Sequence, residues 1–340
     1  MIDLKESDPY LIAETAYSFE GSVEYLMKQT MELPKEIKAV KYHMLFNIDG
    51  YMVRNHSVYS LLSNWIINRE NWKKIIQYAK KQEHDVIILA DDIETINFLE
   101  TIEQMVDGLE IHAACLNDKD LLNKAIKFAK TYSKTLFVGI SGFEIQELTS
   151  IVEYIRKKGL RDIVLMYGFQ NYPTQISEVR LAKIPAFEKM FSLPVGYADH
   201  TKYDDSNKEK LILAAYALGA KIQEIHYVVK EGEQRTDAVT AVSAESLMMF
   251  WDILQNEKAM IGEIDYRLNR GEKSYLNFRK VPVYSADFRK GHVVSLEDIK
   301  FIRVEVPKRQ HFFSEEEKYV GLILQHDVIK DQEIVADDFI

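Results

Sequence analysis

The stretch LPVGYADHTKYDDSNKEKLILAAYALGAKIQEIHY, residues 193–227, places a helical pattern between two short apolar runs. The runs at 193–197 and 221–227 hardly alternate between apolar and polar residues, as is typical of strands buried on both faces. Residues 208–218 between them have the apolar spacing of an amphipathic helix. The stretch therefore predicts a strand, a helix and a second strand, which is the repeating unit of a parallel sheet.

The same pattern extends towards the N-terminus. Six further runs are predicted strands, at 10–13, 39–43, 85–90, 109–113, 135–140 and 162–167. Amphipathic helices are predicted at 22–31, 71–81, 120–131, 144–158 and 244–256. Eight strand–helix units in roughly 250 residues predict a (β/α)8 TIM barrel. An open doubly wound sheet is the alternative, but it usually has fewer strands, and no Gly-rich phosphate loop follows the first strand here.

Two segments differ from this pattern. Residues 45–69 show little helical periodicity, and connections of that length are usually functional loops or lids. After Leu268 we expect a linker at 269–280, with its polar part at 269–274, and a small β-rich domain at 281–340 beyond the barrel domain of residues 1–268. The stretches 287–299 and 327–339 resemble each other, which predicts internal pseudo-symmetry rather than a solenoid.

Composition limits the class of protein. The chain has 340 residues, of which 47% are hydrophobic, and a formal net charge of −10 without basic blocks, which argues against nucleic acid as a partner. No apolar run reaches the ~18–20 residues of a membrane span. The N-terminus lacks the pattern of a signal peptide, and a single cysteine, Cys115, excludes an intramolecular disulfide. We therefore expect a cytoplasmic protein.

Reactive groups of a β/α barrel lie at the C-terminal ends of its strands. His200 follows the seventh predicted strand and His226 lies on the eighth, each near a carboxylate. Imidazoles bind Mn, Fe, Co or Zn, and carboxylates add charge or orient the rings, so the pair predicts a metal site. The alternative is that His200 caps a loop and His226 is a satisfied core histidine.

Several other polar groups follow or end predicted strands. Lys41 lies inside an apolar strand, so it is either an anion-binding or catalytic amine or the structural partner of Glu14. Glu14 is a candidate general base or hydroxyl acceptor. Asp91 and Asp92 fit the cap of the following helix. The remaining candidates at strand ends are His43, His112, Ser141, Gln170, Asn171, Asp199 and Glu224.

These motifs resemble, in order and over nearly the whole chain, those of the N-acetylneuraminate (sialic acid) synthases, including the legionaminic and pseudaminic acid synthases. Residues 196–201, GYADHT, resemble the family's GYSDHT, the most specific match. The other matches are LIAE at 11–14, AVKY at 39–42, YPT at 172–174 with EVRL at 178–181, and EIH at 224–226. The turns RKG at 289–291 and YVG at 319–321 resemble the family's antifreeze-like (SAF) C-terminal domain.

The resemblance implies condensation of phosphoenolpyruvate with an N-acylated hexosamine to a nine-carbon 2-keto sugar acid. His200 and His226 would hold Mn²⁺ or Mg²⁺, and Glu14 and Asp237 would be catalytic. Arg303 would reach into the barrel of a partner subunit, which implies a domain-swapped homodimer. The substrate-binding residues implied are Lys41, which would hold phosphoenolpyruvate, with His43, Ser141, Gln170, Tyr172, Asp199, Glu224 and Arg303.

Departures from the family pattern concentrate on its phosphate ligands. The family's KIxSG reads EIHAA at 110–114, so Glu110 replaces a lysine and Ala113 a serine, and Ala198 replaces the serine of GYSDHT. NHNG reads SFEG at 18–21, STGM reads GISGF at 139–143, Ile225 replaces the lysine of EKH, and Ala238 replaces a histidine. Two alternatives therefore stand beside the synthase: a metal-dependent aldolase or lyase with a non-phosphorylated donor, and a non-catalytic sugar-binding dimer.

Overall fold

The computed structural model describes residues 2, 9–168, 171–262, 264–308 and 313–340. The chain divides into two compact units, Met1–Glu263 and Ile264–Ile340. Within the described residues, no helix is long and apolar enough to span a membrane.

The first unit is a closed barrel of eight parallel strands in sequence order, so the predicted TIM barrel is confirmed. Six of the eight strands are buried along their whole length, and the other two each have a single half-buried residue, as expected for a sheet covered on both faces. The strands are β1 (Tyr10–Glu14), β2 (Ala39–Met44), β3 (Asp85–Ala90), β4 (Gly108–Ile111), β5 (Thr135–Gly139), β6 (Ile163–Tyr167), β7 (Val195–Asp199) and β8 (Ile222–His226).

Helices pack around this barrel. They are α1 (Val23–Glu32), α2 (Ile48–Tyr51), α3 (Tyr59–Asn64), α4 (Arg69–Lys81), α5 (Ile93–Glu100), α6 (Lys119–Tyr132), α7 (Ile145–Lys157), α8 (Lys183–Phe191), α9 (Lys208–Ala217) and α10 (Ala244–Ile261). The long connection after β2 shows little periodicity in sequence because α2 and α3 have only four and six residues. Residues 109–113 are not one strand, since β4 ends at Ile111 and a 3-10 turn occupies Ala113–Cys115.

Strand alternation decides which side chains enter the barrel. Tyr10, Ile12, Ala39 and Ile222 belong to the small core inside the sheet, whereas Leu11 packs in the larger core between sheet and helices. Because side chains alternate along a strand, the next inward positions on β1, β2 and β8 carry polar groups. These groups are Glu14, Lys41, His43, Glu224 and His226. Apolar side chains therefore fill the interior of the barrel towards its N-terminal end, and charged side chains lie at its C-terminal end.

The second unit contains α11 (Arg270–Tyr275) and an antiparallel pair, β9 (Val281–Tyr284) and β10 (Ile299–Ile302). Helix α11 occupies residues that the sequence analysis assigns to a polar linker, and a capping box of Asn269 and Glu272 begins it. The contacts of the unit repeat with an offset of 40 residues, as the similarity of its two stretches predicts. The Lys290 backbone N–H donates to Asp327 at 2.8 Å, and the Lys330 backbone N–H donates to Asp287 at 2.7 Å.

Candidate active site

A cavity of ≈410 Å³ opens at the C-terminal ends of the strands. All eight strands contribute to its lining, through Glu14, Lys41, Leu89, Glu110, Gly139, Met166, Ala198 and Glu224. Helix α3 and its flanks add an apolar wall of Val58, Leu61, Leu62 and Trp65. This is the place where barrel folds carry their reactive groups, and its size suits a small molecule.

Two histidines and a glutamate form a potential metal site in this cavity, which we call the metal triad. One ligand atom each from Glu14, His200 and His226 lies within 4.8 Å of the other two, and all three residues are buried. The imidazole rings of His200 and His226 are 4.6 Å apart between centroids, and Nε2 of His226 is 3.4 Å from Oε2 of Glu14. The structure thus brings together the two histidines that the sequence pairs.

Hydrogen bonds orient both rings. Nδ1 of His200 lies 3.2 Å from the carbonyl oxygen of Ala198, which only accepts, so Nδ1 carries the hydrogen and Nε2 keeps a lone pair. Nδ1 of His226 lies 3.2 Å from Oγ1 of Thr240. Burial, with the neighbouring His226, holds the pKa of His200 well below its usual value. A neutral ring held by a second hydrogen bond is the usual state of a metal-binding histidine.

The donor set fits a divalent ion. Two imidazoles and one carboxylate are ligands that Mn, Fe, Co and Zn accept, whereas Mg²⁺ prefers oxygen ligands. Burial alone would raise the pKa of Glu14, but Lys41 and His226 bring it well below its ordinary value. Glu14 is therefore ionised at neutral pH and can act as a ligand.

Lys41 is enclosed by three glutamates, and we call these four residues the carboxylate cluster. Its Nζ lies 2.6 Å from Glu224, 2.8 Å from Glu110 and 3.2 Å from Glu14, and its side chain is 1% exposed. Burial would lower the pKa of Lys41, but Glu110, Glu14 and Glu224 raise it well above its usual value. Burial and the Glu14 charge raise the pKa of Glu224 far above that of a free glutamate. The ammonium charge of Lys41 is already balanced within the protein.

A second polar group lies on the β2 and β3 side of the cavity. Nε2 of His43 is 2.7 Å from Oδ2 of Asp91, and the hydroxyl of Tyr17 donates to the same oxygen at 3.1 Å. The rings of Tyr17 and His43 are 4.1 Å apart. Asp92 is the helix cap, since its carboxylate accepts the backbone N–H of Thr95 at 2.6 Å. Only one of the two aspartates therefore has the capping role that the sequence analysis gave to both.

Most of the other predicted site residues also line the cavity. Ser141, Tyr172, Asp237, His112 and Glu224 do so. Asp237 accepts the backbone N–H of Tyr17 at 3.0 Å, and the ring of Tyr172 lies 6.0 Å from that of His226.

One predicted substrate-binding residue of the barrel, Asp199, is not brought to the cavity. Asp199 does not line it, because its buried carboxylate forms an ion pair with Lys208 and accepts the hydroxyls of Thr201 and Tyr197, each at 3.0 Å. Its contacts are structural. Arg303 belongs to the second unit, where its guanidinium lies 5.1 Å from the ring centroid of Phe278. Gln170 falls outside the described residues.

Three further residues shape the site without having been predicted from the sequence. Tyr17 and Trp65 line the cavity, and Thr240 contacts His226. Tyr17 and Trp65 lie in loops without strand periodicity, and Thr240 is 14 residues beyond its histidine, so no local pattern marks them.

The NeuB family matches residues 21–266, and the chain belongs to this family. The resemblance inferred from the sequence is therefore confirmed. The N,N'-diacetyllegionaminic acid synthase of Campylobacter jejuni is 27% identical over 227 residues, which is 66% of this chain and 64% of that protein. A pseudaminic acid synthase of the same species is 23% identical over 324 residues and 90% of each chain.

A solved structure has the same fold. The structure of a putative spore coat polysaccharide biosynthesis protein E from Chromobacterium violaceum superposes with a TM-score of 0.84 over 98% of this chain and 100% of that one. The two sequences are 18% identical, so this similarity concerns the fold alone.

Proposed function

We propose that the protein is a nonulosonic acid synthase, which condenses phosphoenolpyruvate with the open-chain aldehyde of an N-acylated hexosamine. In this reaction the donor methylene carbon bonds to the aldehyde carbon, water adds to C2 of the donor, and phosphate leaves. Membership of the NeuB family and the names of the related synthases support this assignment. The observation that carries it is the metal triad at the mouth of the barrel.

Glu14, His200 and His226 would hold the divalent ion. Such an ion supplies Lewis-acid polarisation of a carbonyl oxygen. With two imidazoles among three ligands, we expect Mn²⁺ to bind better than Mg²⁺. Glu14, a member of the triad, and Asp237 both line the cavity, and we expect their carboxylates to accept hydrogen bonds from sugar hydroxyls or to take up protons. The apolar wall on α3 would exclude water from the reacting groups.

One observation favours a second candidate, a metal-dependent aldolase that uses a donor without phosphate. Glu110 stands 2.8 Å from Lys41, so the lysine that the resemblance assigns to phosphoenolpyruvate is bound by the protein's own carboxylates. A dianionic phosphate placed at this cluster would meet like charges, at a cost of several kcal/mol in a partly buried site.

Four further expectations belong to the proposal. The second unit would be an antifreeze-like domain, and Arg303 would reach the barrel of a partner subunit in a domain-swapped homodimer. The boundary of the two domains would fall between residues 268 and 281, and the protein would act in the cytoplasm.

The test is turnover of the full-length protein with Mn²⁺. Phosphoenolpyruvate and pyruvate would each be supplied with a panel of N-acyl hexosamines, and phosphate release and 2-keto acid formation would be measured. Phosphate release that depends on both sugar and metal supports the synthase. Product from pyruvate alone supports the aldolase, and no product from either donor would overturn both.

A further inference from the structure

The donor is an anion in both versions of the proposed function, so the cavity needs a positive group to receive it. Among the described residues, the cavity-lining side chains that could carry positive charge are Lys41, His43, His112, His200 and His226. Lys41 is balanced by the carboxylate cluster. Burial and the nearby His43 lower the pKa of His112, and the pKa of His200 is also lowered. His226 belongs to the metal triad, where ligation requires the neutral ring. His43 is therefore the remaining cavity-lining side chain that can offer a positive charge to the donor.

The surroundings of His43 favour an imidazolium. Its Nε2 lies 2.7 Å from Oδ2 of Asp91, whose side chain is only 1% exposed, while the His43 side chain is 15% exposed. Tyr17 donates its hydroxyl to the same carboxylate oxygen and packs its ring against His43, which fixes both partners. No hydrogen bond to Nδ1 of His43 is formed by any residue that the structure describes. The ring thus has one nitrogen committed to Asp91 and the other available.

We propose that His43, held by Asp91, is the oxyanion-binding residue of this cavity and donates from Nδ1 to a carboxylate or phosphate of the donor. The proposal rests on the proposed function, since it concerns how that function's anionic donor is held. Lys41 then has a structural role, and the donor's anionic group lies towards the β2 and β3 side of the cavity. In this arrangement Asp91 is a positioning residue, because it acts through His43.

Charge of both signs faces His43 from the surrounding strands and loops. The groups are Asp91 after β3, Glu14 and Tyr17 at the end of β1 and beyond it, Lys41 on β2, Glu110 and His112 on β4 and after it, and Asp237 after β8. Burial alone would lower the pKa of His43, but Asp91, Glu14 and Asp237 together raise it above its usual value. Oxyanion binding should therefore be strong at low pH and weaken as pH rises through this raised pKa.

The experiment is calorimetric titration of the full-length protein with phosphoenolpyruvate, pyruvate and inorganic phosphate, without and with Mn²⁺. Titrations would run from about pH 6 to pH 9, the range in which histidines with raised pKa values lose their proton. We expect His43→Gln to weaken binding about 10- to 100-fold at the low end, the effect of losing a hydrogen bond to a charged group. Asp91→Asn should shift the pH midpoint of binding downwards.

Asp118→Asn is the matched control, because Asp118 caps α6 through Oδ1 alone, which asparagine retains, and it does not line the cavity. It should leave both affinity and midpoint unchanged. If His43→Gln fails to fold, as judged by circular dichroism, Asp91→Asn alone decides through its midpoint. Binding that is independent of pH in the wild-type protein, undetectable in it, or unchanged in both His43→Gln and Asp91→Asn would overturn the proposal.

Comparison of the probes identifies the anionic group. If the binding of pyruvate depends on His43, the group that His43 binds is a carboxylate. If the binding of inorganic phosphate depends on His43, that group is a phosphate. Turnover is measured separately. Synthase activity with a Michaelis constant unaffected by His43→Gln rejects this inference and keeps the proposed function. Binding that depends on His43 without any turnover keeps this inference and rejects the proposed function.

Discussion

The metal triad and the carboxylate cluster lie side by side at the mouth of the barrel but satisfy their charges differently. In the triad, a neutral His200 ring and an ionised Glu14 present lone pairs that could bind a cation. In the cluster, Lys41 has three carboxylates within 3.2 Å. The donor atoms of the triad could bind an ion, whereas the charges of the cluster are balanced by its own side chains. A buried charged residue in an active site is therefore not by itself a substrate-binding residue.

Glu14 belongs to both groups. Its Oε2 lies 3.2 Å from Nζ of Lys41 and 3.4 Å from Nε2 of His226. The backbone register explains this position, since Glu14 pairs with Lys41 on one neighbouring strand and with His226 on the other. Ion binding in the triad and charge balance in the cluster should consequently be coupled through this one carboxylate.

The largest effect that we expect comes from breaking the cluster. Lys41→Met removes the one ammonium of the cluster and leaves the buried, ionised carboxylate of Glu14 without this counter-ion, and losing one partner of a buried ion pair costs about 3–5 kcal/mol. The free energy of unfolding in urea measures this loss. Lys124→Met is the control, because Lys124 pairs with Glu100 near the surface at 2.8 Å, where the expected cost is about 0–1 kcal/mol.

Equal losses in the two variants would contradict the structural role of Lys41. A stable Lys41→Met protein that has lost donor binding would instead restore the anion-binding role that the resemblance assigns to this lysine.

The barrel was predictable because its strands are buried on both faces and recur with helices between them. Lys41 illustrates the limit. Its pairing with Glu14 could be proposed, since both lie at the ends of neighbouring strands, but Glu110 is 69 residues away on β4 and meets it only across the barrel interior. Side-chain partners across a closed sheet depend on tilt and register, which local patterns do not encode.

Asp199 shows a second limit of prediction from the sequence. It adjoins His200 in the motif and was predicted to bind substrate, yet it packs against Lys208. The alternation of side chains along the strand would have predicted this position. Ala198 lies in the core inside the barrel, so its neighbour Asp199 faces the other side of the sheet. Applied residue by residue, the same rule correctly places Glu14, Lys41 and Glu224 in the cavity.

The second effect tests the triad. His200→Ala removes one of its two imidazoles, and we expect catalytic turnover to fall about 10²- to 10³-fold, as when a group stabilising charge in the transition state is deleted. The rise in melting temperature on adding Mn²⁺ should disappear in the same variant. His326→Ala, which removes a half-exposed histidine of the second unit, is the control and should keep both properties. Undiminished metal binding by His200→Ala would show that the ion site lies elsewhere.

The smallest effect concerns the hydroxyl that orients His226. Oγ1 of Thr240 is 3.2 Å from Nδ1 of His226, and Thr240 is fully buried. Thr240→Val keeps the shape of the side chain but removes this hydrogen bond, and loss of such an outer partner lowers metal affinity about 10- to 100-fold. Competition with a chelator measures Mn²⁺ affinity, and Thr240→Ser, which retains the hydroxyl, should stay near the wild-type value.

Because the carboxylate cluster does not contact Thr240 within the described residues, stability without metal should change far less than in Lys41→Met. If Thr240→Val and Thr240→Ser bind Mn²⁺ equally well, His226 is oriented by packing alone and the triad needs no support from its neighbours.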